Sequence, residues 1–371
     1  MAMQFQTFPH PSPTPDGVRT ARIADPGFGT VFTDHMVTID YDADAADQSH
    51  GGWHDARIGP HEAISLAPSA SVLHYAQEIF EGMKAFSHAD GGLALFRPEA
   101  NAHRFNASAR RMAMPELPQD LFLDAVRLAV ETDAKWMPPI DGGSLYIRPF
   151  MFATEAFLGV RPATRYKFLV ILSAAGSYFK TGGSSAVRPV KIWVSQDYVR
   201  AAPGGTGAAK TGGNYAASLV PQAEATAKGC DQVVFLDAVE KQWVEELGGM
   251  NLFFVRRDGS VVTPPLTGTI LPGITRDSVI AMLREEGLDV REEPYSITQW
   301  REEAQSGELL ECLACGTAAV ITPVGTVASP NGEFTIGAGG TGQITSKLRE
   351  RLIGIQHGTH EDKHGWVKRI G

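Results

Sequence analysis

The sequence has few cysteines, no long apolar run and no block of positive charge. Three cysteines in 371 residues are too few for a disulfide framework, so we expect a reducing compartment. No apolar stretch approaches the length that crosses a bilayer, and we therefore expect no membrane partner. The formal net charge is −9 and no cluster of Lys and Arg stands out, which argues against a nucleic-acid partner.

The first twenty residues lack the features of a targeting segment. MAMQFQTFPHPSPTPDGVRT has no apolar core after a basic start, and its prolines oppose an amphipathic transit helix. We therefore expect a cytoplasmic protein. The length allows two domains that each bury a core of their own.

Cys312 and Cys315 form a CxxC pair, which is compatible with a redox pair or with half of a zinc site. The chain contains no second CxxC to complete a zinc set. The surrounding segment ELLECLACGTAAVITPVG is apolar and rich in β-forming residues, so we predict two buried core cysteines.

The order of β-like and helical runs predicts an α+β fold. Helices are expected over 98–114 and 119–136, followed by buried strands in SLYIRPFMFAT and YKFLVILSA. The Gly- and Ser-rich stretch that follows resembles a linker. We predict an N-terminal extension (1–27), a small N-terminal domain (28–176), an interdomain linker (177–186) and a large C-terminal domain (187–371).

The second half places Lys210 at the start of a helix. A strand, VKIWVS, precedes the Gly-rich loop APGGTGAAKTGG, and a helical run, NYAASLVPQAEATAKG, follows it. Farther on we expect strands in QVVFLDA and NLFFVRRDG, a helix in GITRDSVIAMLREEG and a closing helix in GQITSKLRERLIGIQHG.

One interpretation of the Lys210 loop is a phosphate loop of a nucleotide triphosphatase. The segment GGTGAAKT departs from GxxxxGK[ST] only at Ala209, which stands where the last glycine belongs. Asp237, at the end of VVFLD, would then be the magnesium ligand. Against this hypothesis, eight residues (196–203) separate VKIWVS from GGTGAAKT, whereas a phosphate loop follows its strand directly.

The other interpretation is a lysine amine that attacks an aldehyde. Such a lysine must be partly desolvated, and the Gly-rich, uncharged neighbourhood of Lys210 provides that environment. A lone lysine in a loop is more often simply solvated, so this interpretation depends on other residues.

Several motifs, in the same order, resemble the branched-chain aminotransferases of the fold type IV pyridoxal phosphate family. They are KTGGNYAASL, VEELGGMNLFFV, TGTILPGITRDSVI and CGTAAVITPVG, preceded by FGTVFTDHM, LHYAQEIFEGMKAF, AHRFNASARRM and SLYIRPFMFATEAFLGV. The resemblance runs from Phe28 to the C-terminal region. It implies a smaller N-terminal α/β domain, a larger C-terminal domain with a barrel-like sheet, a homodimer, and pyridoxal 5'-phosphate as cofactor.

The resemblance implies a role for each residue around the cofactor. Lys210 corresponds to the Schiff-base lysine, Glu246 to the partner of the pyridine nitrogen and Tyr215 to the partner of the phenolic oxygen. A carboxylate beside the ring nitrogen keeps it protonated, so that the ring accepts electrons. The alternation of side chains along a strand favours a surface position for Glu245. The implied phosphate-binding residues are Arg104, Gly273, Ile274, Thr275 and Thr317, three of them at a helix N-terminus.

The expected substrate-binding residues come from several segments. Tyr146 and Arg148 alternate along a strand and so share a face, where both could reach a carboxylate or, alternatively, form a buried ion pair. By resemblance, Arg148 binds the second carboxylate of glutamate, and the turn at Thr317 and Ala318 binds the α-carboxylate through N–H groups. The remaining expected residues are the pocket walls Phe28, Tyr75 and Phe80, and Leu158 and Val160, which with Tyr75 would enter the neighbouring subunit's pocket.

The implied reaction is amino transfer between L-leucine, L-isoleucine or L-valine and 2-oxoglutarate, giving glutamate and branched-chain 2-oxo acids. Lys210 would move the proton as general base and acid in a ping-pong scheme. Within the same family, D-amino acid aminotransferases and aminodeoxychorismate lyases are alternatives.

The chain departs from the family pattern at a few positions. Gly249 stands where some relatives carry threonine. Relatives with a redox CxxC have it just after the GTA turn, where this chain has Ala319 and Thr322, so we predict no thiol switch. His357, His360 and His364 have metal-like spacing, but the last HGW resembles the ordinary end of the family, so we expect no metal site.

Overall fold

The computed structural model describes residues 3–139, 143–176 and 187–370. Its helices are α1 (Asp16–Ala24), α2 (Val72–Tyr75), α3 (Pro98–Arg111), α4 (Gln119–Thr132), α5 (Gly212–Ala216), α6 (Leu219–Ala227), α7 (Ile274–Glu285), α8 (Ile297–Ser306) and α9 (Gln343–Gln356), with a 3₁₀ turn at Ala134–Trp136. Its strands are β1 (Gln6–Thr7), β2 (Val31–Asp42), β3 (Trp53–Pro60), β4 (Glu78–Phe80), β5 (Met83–Ser87), β6 (Leu93–Phe96), β7 (Ser144–Ala153), β8 (Arg165–Ala175), β9 (Val190–Val194), β10 (Gln232–Leu236), β11 (Val244–Leu247), β12 (Asn251–Arg256), β13 (Ser260–Thr263), β14 (Asp289–Glu292), β15 (Leu309–Gly316), β16 (Val320–Ser329), β17 (Gly332–Thr335) and β18 (Val367–Ile370).

The chain divides into two compact units. The first comprises Met1–Tyr178, Ala209–Gly212 and Gly354–Gly371, and the second comprises Phe179–Ala208 and Gly213–Ile353. The predicted linker, 177–186, lies outside the described residues. The domain ranges expected from the sequence remain a prediction.

The described strands of the first unit form one sheet in the order β1-β3-β2-β8-β7-β5-β6-β18, and β4 also pairs with β7. All pairs are antiparallel except the short β1–β3 pair. The edge strand β18 joins β6 in the register Val367↔Phe96 to Ile370↔Leu93. A late segment of the chain therefore completes this early sheet.

Alternation along β7 gives the sheet two different faces. Leu145, Ile147 and Met151 belong to the main core, where α3 and α4 cover the sheet. The aromatic rings of Phe105 on α3 and Phe168 on β8 pack 5.5 Å apart in this core. Residues at the intervening positions of β7 point to the opposite face, because successive side chains of a strand alternate.

Both predicted helices are present: that predicted over 98–114 ends at Arg111, three residues early, and that over 119–136 consists of α4 followed by the 3₁₀ turn. The single helical run expected over NYAASLVPQAEATAKG is wrong, because the structure contains two short helices there, α5 and α6. Pro221 lies in the first turn of α6, and its ring would clash with the carbonyl of residue 217 in one continuous helix.

The second unit has a mixed sheet in the order β11-β10-β9-β16-β15-β12-β13-β14, with β17 paired to β16. Phe254, Tyr295 and Trp300 pack together in its core, with ring centroids 4.0 and 4.9 Å from that of Phe254. The two sheets with their flanking helices confirm the predicted α+β class. Among the described residues, no helix is both long and apolar enough to cross a membrane.

Candidate active site

Lys210 lies in a short segment that groups with the first unit although both flanking segments belong to the second. Its carbonyl accepts a hydrogen bond from Phe80 N at 2.9 Å, and its own N–H donates to Ser108 Oγ at 2.9 Å. The Nζ atom lies 4.7 Å from the centre of the Phe80 ring. Strand β4 and helix α3 thus hold the backbone of Lys210, and its amine lies over an aromatic face.

Glu78 holds the next residues of this segment. Its carboxylate accepts hydrogen bonds from Gly212 N and, at 3.4 Å, from Thr211 Oγ1. A Cβ at residue 212 would collide with the Glu78 carboxylate, so a larger residue there would displace that side chain. Burial raises the pKa of Glu78, although these hydrogen bonds and the charge of Arg148 oppose the change.

Four further residues predicted to lie in the substrate pocket lie in one series of contacts with Lys210. The Arg148 guanidinium lies 4.7 Å from the Phe80 ring centre, and its Nη2 donates to the Tyr146 hydroxyl at 3.1 Å. The Tyr146 ring in turn packs edge-on against Phe28, with centroids 4.9 Å apart. The prediction that Tyr146 and Arg148 share a face is therefore confirmed.

Arg148 is not part of a buried ion pair in the described part of the chain. It contacts the Tyr146 hydroxyl and the rings of Phe80 and Tyr146, its charge acts on Glu78 without forming an ion pair, and its Nε is buried without a hydrogen-bond partner. A buried donor of this kind costs free energy unless another group accepts from it. The arrangement favours an anionic group of a ligand as that acceptor.

Arg104 forms a buried bidentate ion pair with Glu81. Its Nε and Nη2 each donate to the carboxylate at 2.8 Å, and Asn101 Nδ2 donates to the same carboxylate at 2.7 Å. Glu81 has no exposed surface and Arg104 is 9% exposed. Burial alone would raise the pKa of Glu81, but Arg104, with a smaller contribution from Lys210, lowers it below its usual value.

Tyr75, Leu158 and Val160 lie at the surface of the first unit. They are 40%, 63% and 88% exposed, and the Tyr75 hydroxyl donates to the Leu158 carbonyl. Exposed apolar side chains that are held in place are typical of a surface that meets a partner.

In the second unit, Glu246 is held between an arginine and a backbone amide. Arg200 Nη1 lies 2.9 Å from Glu246 Oε1, and both side chains are almost fully buried. Leu271 N donates to the same oxygen at 2.8 Å, and Asn251 Nδ2 approaches Oε2 at 3.4 Å. Three donors therefore favour the carboxylate form of Glu246.

The expectation that Glu245 lies at the surface is wrong. Glu245 is 6% exposed and accepts a 2.5 Å hydrogen bond from Thr269 Oγ1, and burial raises its pKa. All four residues of β11 are buried, so alternation along this strand does not separate a buried face from an exposed one. The segment that carries Thr269 and Leu271 contacts both glutamates, which explains why both faces are covered.

Three of the four predicted phosphate-binding residues of the second unit lie at the N-terminus of α7; the fourth, Thr317, lies in the turn between β15 and β16. Gly273 is the N-cap with an extended backbone and no side-chain cap, and Ile274 and Thr275 form the first turn. A Cβ at residue 273 would lie 2.0 Å from Asn251 Oδ1, so a larger residue there would displace the Asn251 amide. The N–H groups and dipole of a helix N-terminus favour an anion.

Tyr215 is half-buried in α5, which hydrogen bonds anchor to the Gly-rich loop. Thr206 Oγ1 donates to Asn214 Oδ1 at 2.7 Å, and Asn214 Nδ2 donates to the Thr206 carbonyl at 2.8 Å. A Cβ at Gly249 would lie 3.9 Å from the Tyr215 ring, which is ordinary contact. The threonine of some relatives would therefore fit beside this tyrosine.

Thr317 and Ala318 lie, half-buried, in the tight turn that connects β15 and β16. Gly316 and Val320 pair across the base of this turn. The backbone N–H groups of a tight turn can converge on one anion, as the predicted α-carboxylate role requires.

Asp237 does not support the nucleotide alternative. Its carboxylate accepts hydrogen bonds from the backbone N–H groups of Val239, Glu240, Gln242 and Trp243. Burial alone would raise the pKa of Asp237, but these donors lower it. The carboxylate stabilises a turn, which leaves little capacity for a metal ion.

Both residues of the CxxC pair are buried, as predicted. Burial raises the pKa of the Cys312 thiol and raises that of Cys315 to about 12. Within residues 3–139, 143–176 and 187–370, no group of three or more His, Cys, Asp or Glu residues is arranged to hold a metal ion. His357 lies instead with Nδ1 3.1 Å from the Ser87 carbonyl.

Sequence reasoning missed the partners of the charged residues. Glu81 and Arg200, which hold Arg104 and Glu246, were not predicted, nor was Glu78. Glu81 and Arg200 are single charges in otherwise uncharged segments, IFEGM and YVRAAPG. A charge in such a segment must be paired when it is buried, and that is the signal that could have identified them.

A family model described as "Amino-transferase class IV" matches residues 78–327. A branched-chain-amino-acid aminotransferase from Mycolicibacterium smegmatis is 53% identical over 372 residues, covering 99% of this chain and 98% of that protein. The crystal structure of Escherichia coli branched-chain amino acid aminotransferase has a TM-score of 0.72 and 31% identity, over 91% of this chain and 99% of that one. The PLP form of the Thermobaculum terrenum enzyme of the same name has a TM-score of 0.71 and 25% identity, over 91% and 98%.

Proposed function

This chain belongs to the class IV aminotransferases, and we propose that it exchanges amino groups between L-leucine, L-isoleucine or L-valine and 2-oxoglutarate. The fold type IV architecture predicted from the sequence is confirmed by the structural neighbours. The observation that carries the proposed substrate class is the contact series from Lys210 through Phe80, Arg148 and Tyr146 to Phe28. It places the Lys210 amine beside a wall of aromatic rings. It also contains Arg148, whose Nε donates to no described residue.

Class IV aminotransferases depend on pyridoxal phosphate, and the residues of this chain fit that cofactor. When bound, pyridoxal phosphate supplies a sink for the electrons released as the Cα–H bond of the amino acid breaks. The fit rests on a buried carboxylate, Glu246, that lies among three donors, and on a helix N-terminus whose N-cap is glycine. The proposed cofactor-binding residues are Lys210, Glu246, Tyr215, Arg104, Gly273, Ile274, Thr275 and Thr317.

Glu246 would hold the proton at the ring nitrogen, because a carboxylate there stabilises the positive charge. Arg200 and Leu271 N keep Glu246 ionised and fix its orientation. The bidentate grip of Glu81 orients the Arg104 guanidinium in the same way for a phosphate.

Lys210 would carry the cofactor and move the proton from the substrate Cα as general base and acid. Phe80 N and Ser108 Oγ hold its backbone, so the motion is confined to the side chain. The Phe80 ring below the amine excludes water from one side. Because the amino donor and acceptor use the same residues in turn, the kinetics are ping-pong.

The substrate side chain would lie against Phe28, Phe80 and Tyr75, which carry no charge and therefore suit a branched aliphatic group. Tyr146 and the N–H groups of Thr317 and Ala318 would bind the α-carboxylate. Arg148 would bind the second carboxylate of glutamate or 2-oxoglutarate through its fork of donors.

We also propose a cytoplasmic homodimer. Tyr75, Leu158 and Val160 are exposed apolar residues, two of them joined by a hydrogen bond, and they would line the partner's pocket. Sedimentation analysis tests the dimer. Val160→Asp should shift the protein toward monomer and lower turnover together, and an active monomer would refute the proposal.

The cofactor attachment is tested by borohydride reduction of the holoenzyme followed by peptide mapping. We expect the added mass on the Lys210 peptide alone. Lys228 is a matched control in the same digest, because its Nζ also lies over an aromatic ring, 4.5 Å from the centre of Trp193. Label on Lys228, or none on Lys210 in active enzyme, would contradict the assignment.

The substrate class is tested by supplying L-leucine, D-alanine and aminodeoxychorismate side by side. L-leucine should be converted with 2-oxoglutarate as acceptor. Preference for D-alanine or for aminodeoxychorismate would identify instead a D-amino acid aminotransferase or a lyase of the same family.

A further inference from the structure

The turn between β15 and β16 ends on a strained residue. Val320 has a φ angle of +62°, in the left-handed region. A β-branched side chain is an outlier there, because its Cβ crowds the backbone. Such a conformation persists only where surrounding contacts hold it, and it is common at functional sites.

Arg349 on α9 provides such contacts. Its Nη1 donates to the Ile321 carbonyl at 2.7 Å and to the Ala319 carbonyl at 3.3 Å. These carbonyls flank Val320 on either side. Thr322 Oγ1 also approaches the Ala319 carbonyl, at 3.3 Å. One side chain of a distant helix therefore fixes both ends of the strained residue.

Within the described part of the chain, no carboxylate lies within ion-pair distance of Arg349. Arg351, two residues later on the same helix, pairs with Glu285 and with Glu286. Burial lowers the pKa of Arg349, and no acidic group opposes that effect. Among the described residues, the guanidinium therefore has two carbonyl acceptors and no carboxylate to neutralise its charge.

We propose that Arg349 is a positioning residue for carboxylate recognition. It holds the turn so that the N–H groups of Thr317 and Ala318 converge on the substrate α-carboxylate, and its charge adds to their attraction for that anion. The inference rests on the proposed role of this turn in substrate binding. It assigns to α9 a part in setting the affinity for both amino acids and oxo acids.

A purely structural role for Arg349 predicts a different result. Loss of a packing contact lowers stability or the amount of active enzyme, and so reduces kcat without a selective effect on KM. Loss of a device that positions the carboxylate-binding turn weakens ground-state binding and raises KM for every substrate, since all of them carry an α-carboxylate.

The test compares holoenzyme variants Arg349→Met and Arg351→Met. Arg349→Met should raise KM for L-leucine and for 2-oxoglutarate about tenfold, equivalent to about 1.4 kcal/mol of binding. Its kcat should stay within about threefold of the wild-type value, and the visible absorption of the bound cofactor should be unchanged. Arg351→Met, which removes the partly exposed ion pairs with Glu285 and Glu286, should leave both constants near the wild-type values.

A second readout does not depend on turnover. Addition of 4-methylpentanoate, the carbon skeleton of leucine without its amino group, should raise the melting temperature of the wild-type holoenzyme. The same concentration should raise that of Arg349→Met by less. Arg349→Gln keeps a donor but loses the charge, so its KM should lie between those of the wild type and Arg349→Met. If Arg349→Met does not fold, the KM of Arg349→Gln tests the proposal.

Unchanged KM in Arg349→Met and Arg349→Gln, or an equal rise in Arg351→Met, would overturn the proposal. A fall in kcat alone would also overturn it, because it would identify a structural role. Wild-type enzyme that fails to transaminate L-leucine would count against the proposed function instead, so the two failures are distinguishable in one experiment.

Discussion

Replacement of Glu81 by glutamine should destabilise the first unit strongly. The substitution removes the negative charge but keeps nearly the same shape, so the buried Arg104 guanidinium loses the carboxylate that it pairs with. Glu81 accepts both Arg104 donors and the Asn101 amide, whereas glutamine offers one acceptor and presents an N–H₂ group to those donors. Breaking a buried pair of this kind costs about 3–5 kcal/mol.

The assay is urea unfolding at neutral pH, with Glu116→Gln as the matched control. Glu116 pairs with Arg110, which lies on the same helix as Arg104. The Glu116 and Arg110 side chains are 48% and 58% exposed. An exposed pair contributes about 0–1 kcal/mol, so Glu116→Gln should leave the midpoint almost unchanged. For Glu81→Gln, the midpoint urea concentration should fall. The expected shift is the lost free energy of unfolding, about 3 kcal/mol or more, divided by the slope of that free energy against urea concentration.

The pH dependence gives the reasoning a second check. The pKa of Glu81 is lower in the folded protein than its ordinary value of 4.5, so its contribution to stability is complete above about that pH. It is lost as the pH falls through the lowered pKa. The difference between wild type and Glu81→Gln should therefore shrink in acid, and a difference that grows, or a control that costs as much, would refute the argument.

Three further predictions concern the site. Glu246→Gln should reduce kcat on the order of 100-fold while the cofactor stays bound, because the charge at the ring nitrogen is lost; an unchanged rate would remove its role. Arg148→Met should raise KM on the order of tenfold for 2-oxoglutarate but much less for the leucine oxo acid, which has no second carboxylate; equal changes would contradict the assignment. Mild peroxide should leave activity intact, because burial raises the pKa of the Cys312 and Cys315 thiols and so disfavours the reactive thiolate. Inactivation that a reductant reverses would instead reveal a thiol switch.

Local patterns predicted much of the fold. The helix expected over 98–114 is present as α3, because its apolar residues recur with helical spacing and Pro98 suits a first turn. The shared face of Tyr146 and Arg148 followed from strand alternation alone. Features that depend on one element were therefore within reach of sequence reasoning.

Features that depend on contacts between distant segments were not. Glu245 is buried because the segment around Thr269 covers it, and no pattern within VEEL contains that information. The pairing of Glu81 with Arg104 joins a residue next to β4 with one on α3. Similarly, hydrogen bonds from Phe80 and to Ser108 hold the segment Ala209–Gly212 in the first unit. Such contacts are set by tertiary packing, which single-sequence periodicity does not encode.

The pairing of β18 with β6 has a consequence for synthesis of the protein. Strand β6 leaves the ribosome long before β18, and at about 5–20 residues per second the intervening chain takes tens of seconds to make. During that interval β6 has an open edge, with backbone groups that could pair with another chain. Trp366, whose carbonyl accepts from Arg97 N and whose ring lies under the Arg97 guanidinium, arrives with β18 and secures that edge. The nascent chain is thus exposed to aggregation through β6 until β18 is translated, and slower translation would lengthen that period.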